Sequence, residues 1–373
     1  MTVTRIALFL PSLEGGGAER VFVHLANGLL RYGVAVDMVL AFACGPYLTQ
    51  LDPAVHLVDL GKRRVLPALP GLIRYLRLRR PAVALSAMPH CNLALILATR
   101  LVRPHIPCIV TEHMTFAPAF FQFACWKDRL LLPWLWLYAY ADLTVTVSHG
   151  AARNLARRSG LAEATIRVIY NPVVPDNLPE LMHATVSHPW LTDNAGPVIM
   201  GMGRLIPEKD FATLIRALPL VRRERPGRLL IFGEGPERQR LCDLIARLDL
   251  QNFAQLPGFV ANPFACMSKA AVVAVASRFE SFCNVLAEAI ACGTPVVSTD
   301  CESGPAEILA HGRYGPLVPP ENPQALAEAI VNVLDHPVPA ATLQARGQEF
   351  SVERAVADYW AEITSLLPGN AAP

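Results

Sequence analysis

Short apolar runs alternate with helical segments along most of this sequence, and the alternation stops once and then restarts. In the first half, "RIALFLP" (5–11) leads into "EGGG" (14–17). A stretch with apolar positions at helical spacing follows and ends at Gly33, and then comes the run "VAVDMVLAF" (34–42). Further runs are "VALSAM" (83–88), "CIVTEH" (108–113) and "LTVTVS" (143–148). An irregular, proline-rich stretch at 171–197 breaks the pattern. It resumes with "VIMGMGR", "RLLIFGEG", "FAQLPGF", "VVAVAS" and "PVVSTD", again with helical segments between. Strands that are apolar throughout belong to parallel sheets covered by helices on both faces. The predicted fold class is therefore α/β, with two doubly wound domains at 1–172 and 197–350. Residues 173–196 form the linker, and a C-terminal helix at 351–367 joins the first domain. Two such domains should flank a cleft, with ligands at the carboxyl ends of the strands.

The composition agrees with two packed cores. Of 373 residues, 53% are apolar and 17% charged, which excludes a disordered chain. The nine cysteines are dispersed, with no C-x-x-C pair and no zinc-like spacing to histidine, and this fits a reducing compartment. The N-terminal apolar run has six residues, too short for a signal peptide. The longest nearly uncharged apolar segment, "LLLPWLWLYAYA" (130–141), has 12 residues against the roughly 20 a spanning helix needs. Charge is unevenly divided. Residues 1–170 hold 18 Lys and Arg against 9 Asp and Glu, whereas residues 171–373 hold 15 against 22. The basic half is the one expected to face something anionic.

Three stretches carry candidate chemistry. In "SLEGGGAER" (12–20), Gly15, Gly16 and Gly17 let backbone N–H groups approach a phosphate or sugar at a helix N-terminus. A dinucleotide fingerprint would need a sixth-position glycine where Arg20 stands, and Asp37 falls in mid-strand rather than at a strand end. The plain alternative is a tight turn. In "GMGRLIPEKDF" (201–211), Arg204 and Lys209 precede a helix and suit a diphosphate, although a solvated loop explains single cations equally well. In "RFESFCNVLAEAIACGTPVV" (278–297), Glu280 and Glu288 interrupt an apolar segment. Asn284 or Ser281 is expected to cap a helix ending at Gly293. Backbone N–H groups near Phe282, Asn284 and Val285 are candidates to receive a phosphate. Two glutamates on the exposed face of an amphipathic helix are the alternative.

Glu280 and Glu288, with seven residues between them, resemble the paired-glutamate motif of retaining GT-B glycosyltransferases. Other pieces are similar to family 4 of these enzymes, in that family's order and over nearly the whole chain. They are "GGGAERV", "TEH" (111–113), "VS" (147–148), "VIYNPV" (168–173), "GRLIPEKD" (203–210), "FGEGPER" (232–238), "LPGF" (256–259) and "SGPAEILAHGRYGPLVP" (303–319). Each is weak alone, and the set is specific. The resemblance implies a GT-B fold of two Rossmann-like domains facing a central cleft. Arg204 and Lys209 would neutralise the diphosphate of a nucleotide sugar. Glu288 would bind its ribose, and Glu280 would bind and orient its sugar. The Gly15–Gly17 loop would close over the donor from the other domain. His113 would sit near donor sugar and acceptor; a packed histidine at a strand end is the alternative. The backbone at Gly258 to Val260 is the candidate base site. Where the family often has Gly-Phe-Pro after the first glutamate, this chain has Ser281, Phe282 and Cys283, which puts the donor sugar in question.

The implied activity is transfer of a hexose or N-acetylhexosamine from a nucleotide diphosphate sugar, UDP-linked by resemblance, to a glycan acceptor in cell-surface polysaccharide or glycan assembly. No cofactor beyond that co-substrate is implied, and no D-x-D metal pair is present. Transfer is expected to be metal-independent and retaining. A sugar-nucleotide hydrolase or epimerase, and a non-catalytic nucleotide-sugar-binding scaffold subunit, are the alternatives. Residues 116–140 hold nine aromatics: Phe116, Phe120, Phe121, Phe123, Trp126, Trp134, Trp136, Tyr138 and Tyr140. Residues 62–81 hold seven cations and no acid, with a helix predicted from Pro70 to just before Pro81. Such segments suit an anionic bilayer surface, although they equally suit a core and a solvated face. The expected protein is cytoplasmic and peripheral on the inner face of the cytoplasmic membrane, with a polyprenyl-diphosphate-linked acceptor. Nucleic acid is not an expected partner, because no binding motif accompanies the charge.

Overall fold

The computed structural model describes residues 4–116, 132–192 and 196–367. These form two compact units. One takes residues 4–116, 132–172 and 352–367; the other takes the described residues between 173 and 351.

The first unit is built on seven parallel strands: β1 (Arg5–Leu10), β2 (Ala35–Leu40), β3 (His56–Asp59), β4 (Val83–Ala87), β5 (Cys108–Glu112), β6 (Leu143–Thr146) and β7 (Ile166–Val168). Their spatial order is β3-β2-β1-β4-β5-β6-β7. Helices α1 (Gly17–Leu29), α2 (Val65–Arg79), α3 (Pro89–Arg100) and α4 (His149–Ser159) cover the sheet, and a 3-10 segment spans Leu132–Tyr140. The order reverses between β1 and β4, so the loops leaving their carboxyl ends diverge and open a crevice between them. Every residue of β4 and β5 is buried, as strands covered on both faces require.

The second unit contains the short helix α5 (Leu178–His183) and six parallel strands: β8 (Val198–Met202), β9 (Arg228–Phe232), β10 (Ala254–Gly258), β11 (Val272–Val275), β12 (Val296–Thr299) and β13 (Leu317–Val318). Their order is β10-β9-β8-β11-β12-β13, with the reversal between β8 and β11. The remaining helices of this unit are α6 (Phe211–Glu224), α7 (Arg238–Arg247), α8 (Pro263–Met267), α9 (Asn284–Ala291), α10 (Pro305–Ile308), α11 (Pro323–Asp335) and α12 (Ala340–Gly347).

The C-terminal helix α13 (Val352–Ser365) packs on α1. Contact is so close that a Cβ on Gly28 would lie 2.5 Å from a methyl of Val356. Trp360 stacks on Tyr32 at 4.8 Å between ring centroids.

Helix α2 differs from the sequence expectation. It begins at Val65 and carries Pro70 in its interior. Val65, Ala68, Leu72, Tyr75 and Leu76 are buried along one stripe. Burying that stripe outweighs the single backbone hydrogen bond that Pro70 forfeits. Asp37 is fully buried in β2, accepts the Tyr75 hydroxyl at 2.7 Å and pairs with Arg5 and Arg79. It is a structural tie between β1, β2 and α2. The eight cysteines among the described residues are free thiols. Among the described residues, no helix is long and apolar enough to cross a membrane.

Candidate functional site

In the second unit, the loops after β8, β9 and β11 meet at the strand-order reversal. Glycines permit this crowding. A Cβ on Gly233 would lie 1.8 Å from the Gly203 carbonyl oxygen, and Gly203 itself donates to the Phe232 carbonyl at 3.0 Å. The loop after β8 thereby delivers Lys209, whose Nζ donates to Glu280 Oε1 at 2.5 Å. Ser277 adds a second donor to the same oxygen at 2.7 Å. Glu280 is 9% exposed. Burial pulls the Lys209 ammonium towards its neutral form, but the Glu280 carboxylate outweighs it, and the pKa is raised. Lys209 is thus held as a cation. Arg204, in the same loop, is exposed and makes no ion pair among the described residues.

Glu280 leads directly into α9. Neither Ser281 nor Asn284 caps this helix. The N-cap is Cys283, in a left-handed conformation at φ 79°, and Asn284 is the first helical residue. That φ lies outside what proline can adopt. The carbonyl of Phe282 lies against Gly304, whose Cβ would approach it to 2.2 Å, and the Phe282 ring packs edge-on against Phe350 at 5.6 Å. Val285 lies in the first turn of α9, and Glu288 is buried in its second, 2% exposed. Gly258 ends β10 at φ 97° and accepts the Gly233 N–H at 2.8 Å; the next residue, Phe259, is 80% exposed.

In the first unit, Gly15 and Gly16 precede α1, and Gly17 is its first residue. The N–H groups of Gly15 and Gly16 both donate to Glu19 Oε2, at 2.6 and 3.0 Å. The chain's own carboxylate therefore engages two of the three glycines expected to meet a ligand. His113 follows β5. Its ring packs edge-on against Phe22 of α1 at 6.5 Å, and its Nε2 lies 3.2 Å from Thr111 Oγ1. Burial pushes the imidazole pKa down to about 4, so the ring is neutral near pH 7. The neighbouring Glu112 is fully buried, and burial raises its pKa to about 7. Its carboxylate accepts the Met114 N–H at 2.9 Å and the Tyr138 hydroxyl at 2.8 Å.

Sequence reasoning gave Ser277, Glu19 and Tyr138 no part in these clusters, and Thr111 and Glu112 entered it only as members of the "TEH" motif. Glu19, three residues after an N-cap glycine, carried a further readable signal, that of a capping box. Of the aromatic segment, Phe116 and Tyr138 are buried, whereas Trp134, Trp136 and Tyr140 are exposed. Phe120, Phe121, Phe123 and Trp126 lie outside the described residues.

The family described as Glycosyltransferase Family 4 matches residues 15–177, and Glycosyl transferases group 1 matches residues 196–336. The chain is similar to the N-acetylgalactosamine-N,N'-diacetylbacillosaminyl-diphospho-undecaprenol 4-alpha-N-acetylgalactosaminyltransferase of Campylobacter jejuni. The two are 27% identical over 347 residues, covering 89% of this chain and 90% of that one. It is 26% identical to the lipopolysaccharide core biosynthesis glycosyltransferase LpsE of Rhizobium meliloti, over 95% of this chain and 97% of that one. Among solved structures, Anabaena Alr3699/HepE in complex with UDP and glucose superposes with a TM-score of 0.80 at 22% identity, covering 97% of this chain and 100% of that chain. With both units matched and relatives aligned over nearly their full lengths, the protein belongs to the family 4 (group 1) glycosyltransferases and has their GT-B architecture of two Rossmann-like domains.

Proposed function

We propose that this glycosyltransferase moves a hexose or N-acetylhexosamine from a UDP-sugar to a polyprenyl-diphosphate-linked glycan, with retention at the anomeric carbon and without a metal ion. The observation that carries this reading is the pairing of Lys209 with Glu280 at 2.5 Å, reinforced by Ser277. Breaking the sugar–phosphate bond leaves extra negative charge on the diphosphate. A lysine held charged, with Arg204 in the same loop, supplies the compensation that a metal gives other transferases. The N-terminal turn of α9 adds the positive end of its dipole. Glu280, fixed by two donors, is the group for the sugar hydroxyls, and Glu288 the group for the ribose diol. The departing diphosphate takes the acceptor's proton on the same face.

The acceptor and donor classes draw support from relatives. The name of the Campylobacter protein specifies a diphospho-undecaprenol acceptor, and the Anabaena structure holds UDP and glucose. Exposed apolar, aromatic and cationic side chains on the first unit support a lipid-linked acceptor. Leu66 and Leu78 of α2 are 77% and 71% exposed, among the exposed Arg74, Arg77, Arg79 and Arg80. Trp134, Trp136 and Tyr140 are exposed on the 3-10 segment, which is joined to α3 where Arg100 donates to the Tyr140 carbonyl at 2.6 Å. Apolar and aromatic side chains among arginines fit an anionic bilayer surface, with the protein peripheral on the cytoplasmic face.

The test is the anomeric configuration of the product. An α-linked UDP-sugar and a polyprenyl-diphosphate-linked glycan are incubated with the enzyme, and the new linkage is read by NMR. An α-linkage supports the proposal; a β-linkage removes the retaining mechanism.

A further inference from the structure

We propose that Thr111 is a positioning residue that fixes His113 as its Nε2–H tautomer, so that Nδ1 is presented as a hydrogen-bond acceptor for a sugar hydroxyl. The sugar hydroxyl rests on the transferase reading; the tautomer does not.

The protons available around Thr111 fix the tautomer. Thr111 Oγ1 lies 3.0 Å from the Ser86 carbonyl oxygen and 3.2 Å from His113 Nε2. A hydroxyl has one proton, and a carbonyl oxygen has none. Were the proton given to the imidazole, two oxygens would face each other at 3.0 Å with nothing between them, in a place where Thr111 and Ser86 are both fully buried. Leaving a buried acceptor unsatisfied in this way is costly. Both contacts are made only if Thr111 donates to Ser86 and His113 Nε2–H donates to Thr111. The imidazole lone pair then resides on Nδ1, for which no partner occurs among the described residues.

The surroundings hold that arrangement in place. Asn92, buried on α3, donates to the Thr111 carbonyl at 2.8 Å and to the Tyr138 oxygen at 2.9 Å, and accepts the Ser86 hydroxyl at 2.7 Å. Tyr138 in turn donates to Glu112, which also clasps the Met114 N–H. The turn carrying His113 is thereby tied to β4, α3 and the 3-10 segment, and Phe22 stands against the ring. Glu112 and Tyr138 are bonded to this turn or to each other, Cys91 lies near Tyr138, and Glu19 of α1 lies near Cys91. Burial favours the neutral form of Glu112, Tyr138 and Cys91, as it does for His113 itself. A neutral ring with a low proton affinity orients a hydroxyl without carrying its proton away.

The full-length protein, labelled with 15N-histidine, tests this directly. The His113 signals are assigned by their loss in His113→Gln. The expected spectrum shows a protonated Nε2 and an unprotonated Nδ1, unchanged from pH 6 to pH 8. Thr111→Val should mix the tautomers and lower kcat about three- to tenfold, the worth of one neutral hydrogen bond, with the donor KM little changed. Thr111→Ser, which keeps the hydroxyl, should restore both. An Nδ1–H tautomer in the wild-type protein overturns the proposal, as does a Thr111→Val spectrum identical to the wild type. If Thr111→Val does not fold, the wild-type spectrum alone decides. If no sugar donor is turned over, the transferase reading fails while the tautomer is still measured.

Discussion

Lys209 and Glu280 lie 71 positions apart in the chain and meet at 2.5 Å, joined from the other side by Ser277. The pair links the loop after β8 to the segment that enters α9, across the point where the strand order reverses. The Glu280 carboxylate keeps the Lys209 ammonium charged against the pull of burial.

Lys209→Ala should therefore weaken the binding of UDP by about 1.5–3 kcal/mol, the range of a charge-assisted hydrogen bond. Isothermal titration reads this. Equal affinity in variant and wild type would take Lys209 out of the diphosphate site.

Glu112 predicts a pH dependence of stability. Its pKa rises from 4.5 to about 7 on folding, so the folded state prefers the protonated form. The stability this contributes is present below pH 4.5 and is lost as pH rises through 7. Glu112→Gln cannot titrate and should lack that loss. Relative to Glu112→Gln, the wild type should lose on the order of 2–3 kcal/mol between pH 4.5 and 8. Denaturant melts at several pH values measure it, and parallel curves for the two proteins would mean that Glu112 is not buried as described.

Gly28→Ala tests the docking of the C-terminal helix. The added Cβ would lie 2.5 Å from a methyl of Val356, a short and stiff side chain. Helix propensity favours alanine by about 1 kcal/mol, but overpacking costs about 1–3 kcal/mol. A net loss in thermal stability is expected, and a gain would contradict the close approach of α13 to α1.

Cys283→Pro addresses the turn before α9. Residue 283 has φ 79°, and proline is locked near −65°. The substitution should cost more than about 2 kcal/mol and impair UDP binding with it. Wild-type melting and affinity in this variant would show that the turn tolerates a right-handed conformation.

Much of the fold was legible because ten of the thirteen strands announce themselves locally as apolar runs; β3, β7 and β13, short strands at the sheet edges, did not. "VALSA" and "CIVTE" are buried at every position and read as apolar in sequence. What escaped depends on groups distant in the chain. Nothing near Glu112 signals that Tyr138 will donate to it, and nothing near Thr111 signals Ser86. The start of α2 at Val65 was hidden because Pro70 reads as a helix start, and only the packing of Val65 and Ala68 outweighs that local signal. The cap of α9 went to Cys283 instead of Ser281 or Asn284, because the approach of Gly304 to the Phe282 carbonyl shapes that turn. Sequence spacing singled out Lys209 and Glu280 separately; their contact is a property of the fold.

The central claim is that a nucleotide diphosphate departs against Lys209 and Arg204 without help from a metal. The most direct measurement is the release of nucleotide diphosphate from a panel of UDP-, GDP- and ADP-sugars in excess EDTA, with and without a polyprenyl-diphosphate-linked acceptor. The account predicts UDP release from one donor, dependent on the acceptor and indifferent to EDTA. Release that ceases in EDTA and returns with a divalent cation would contradict it.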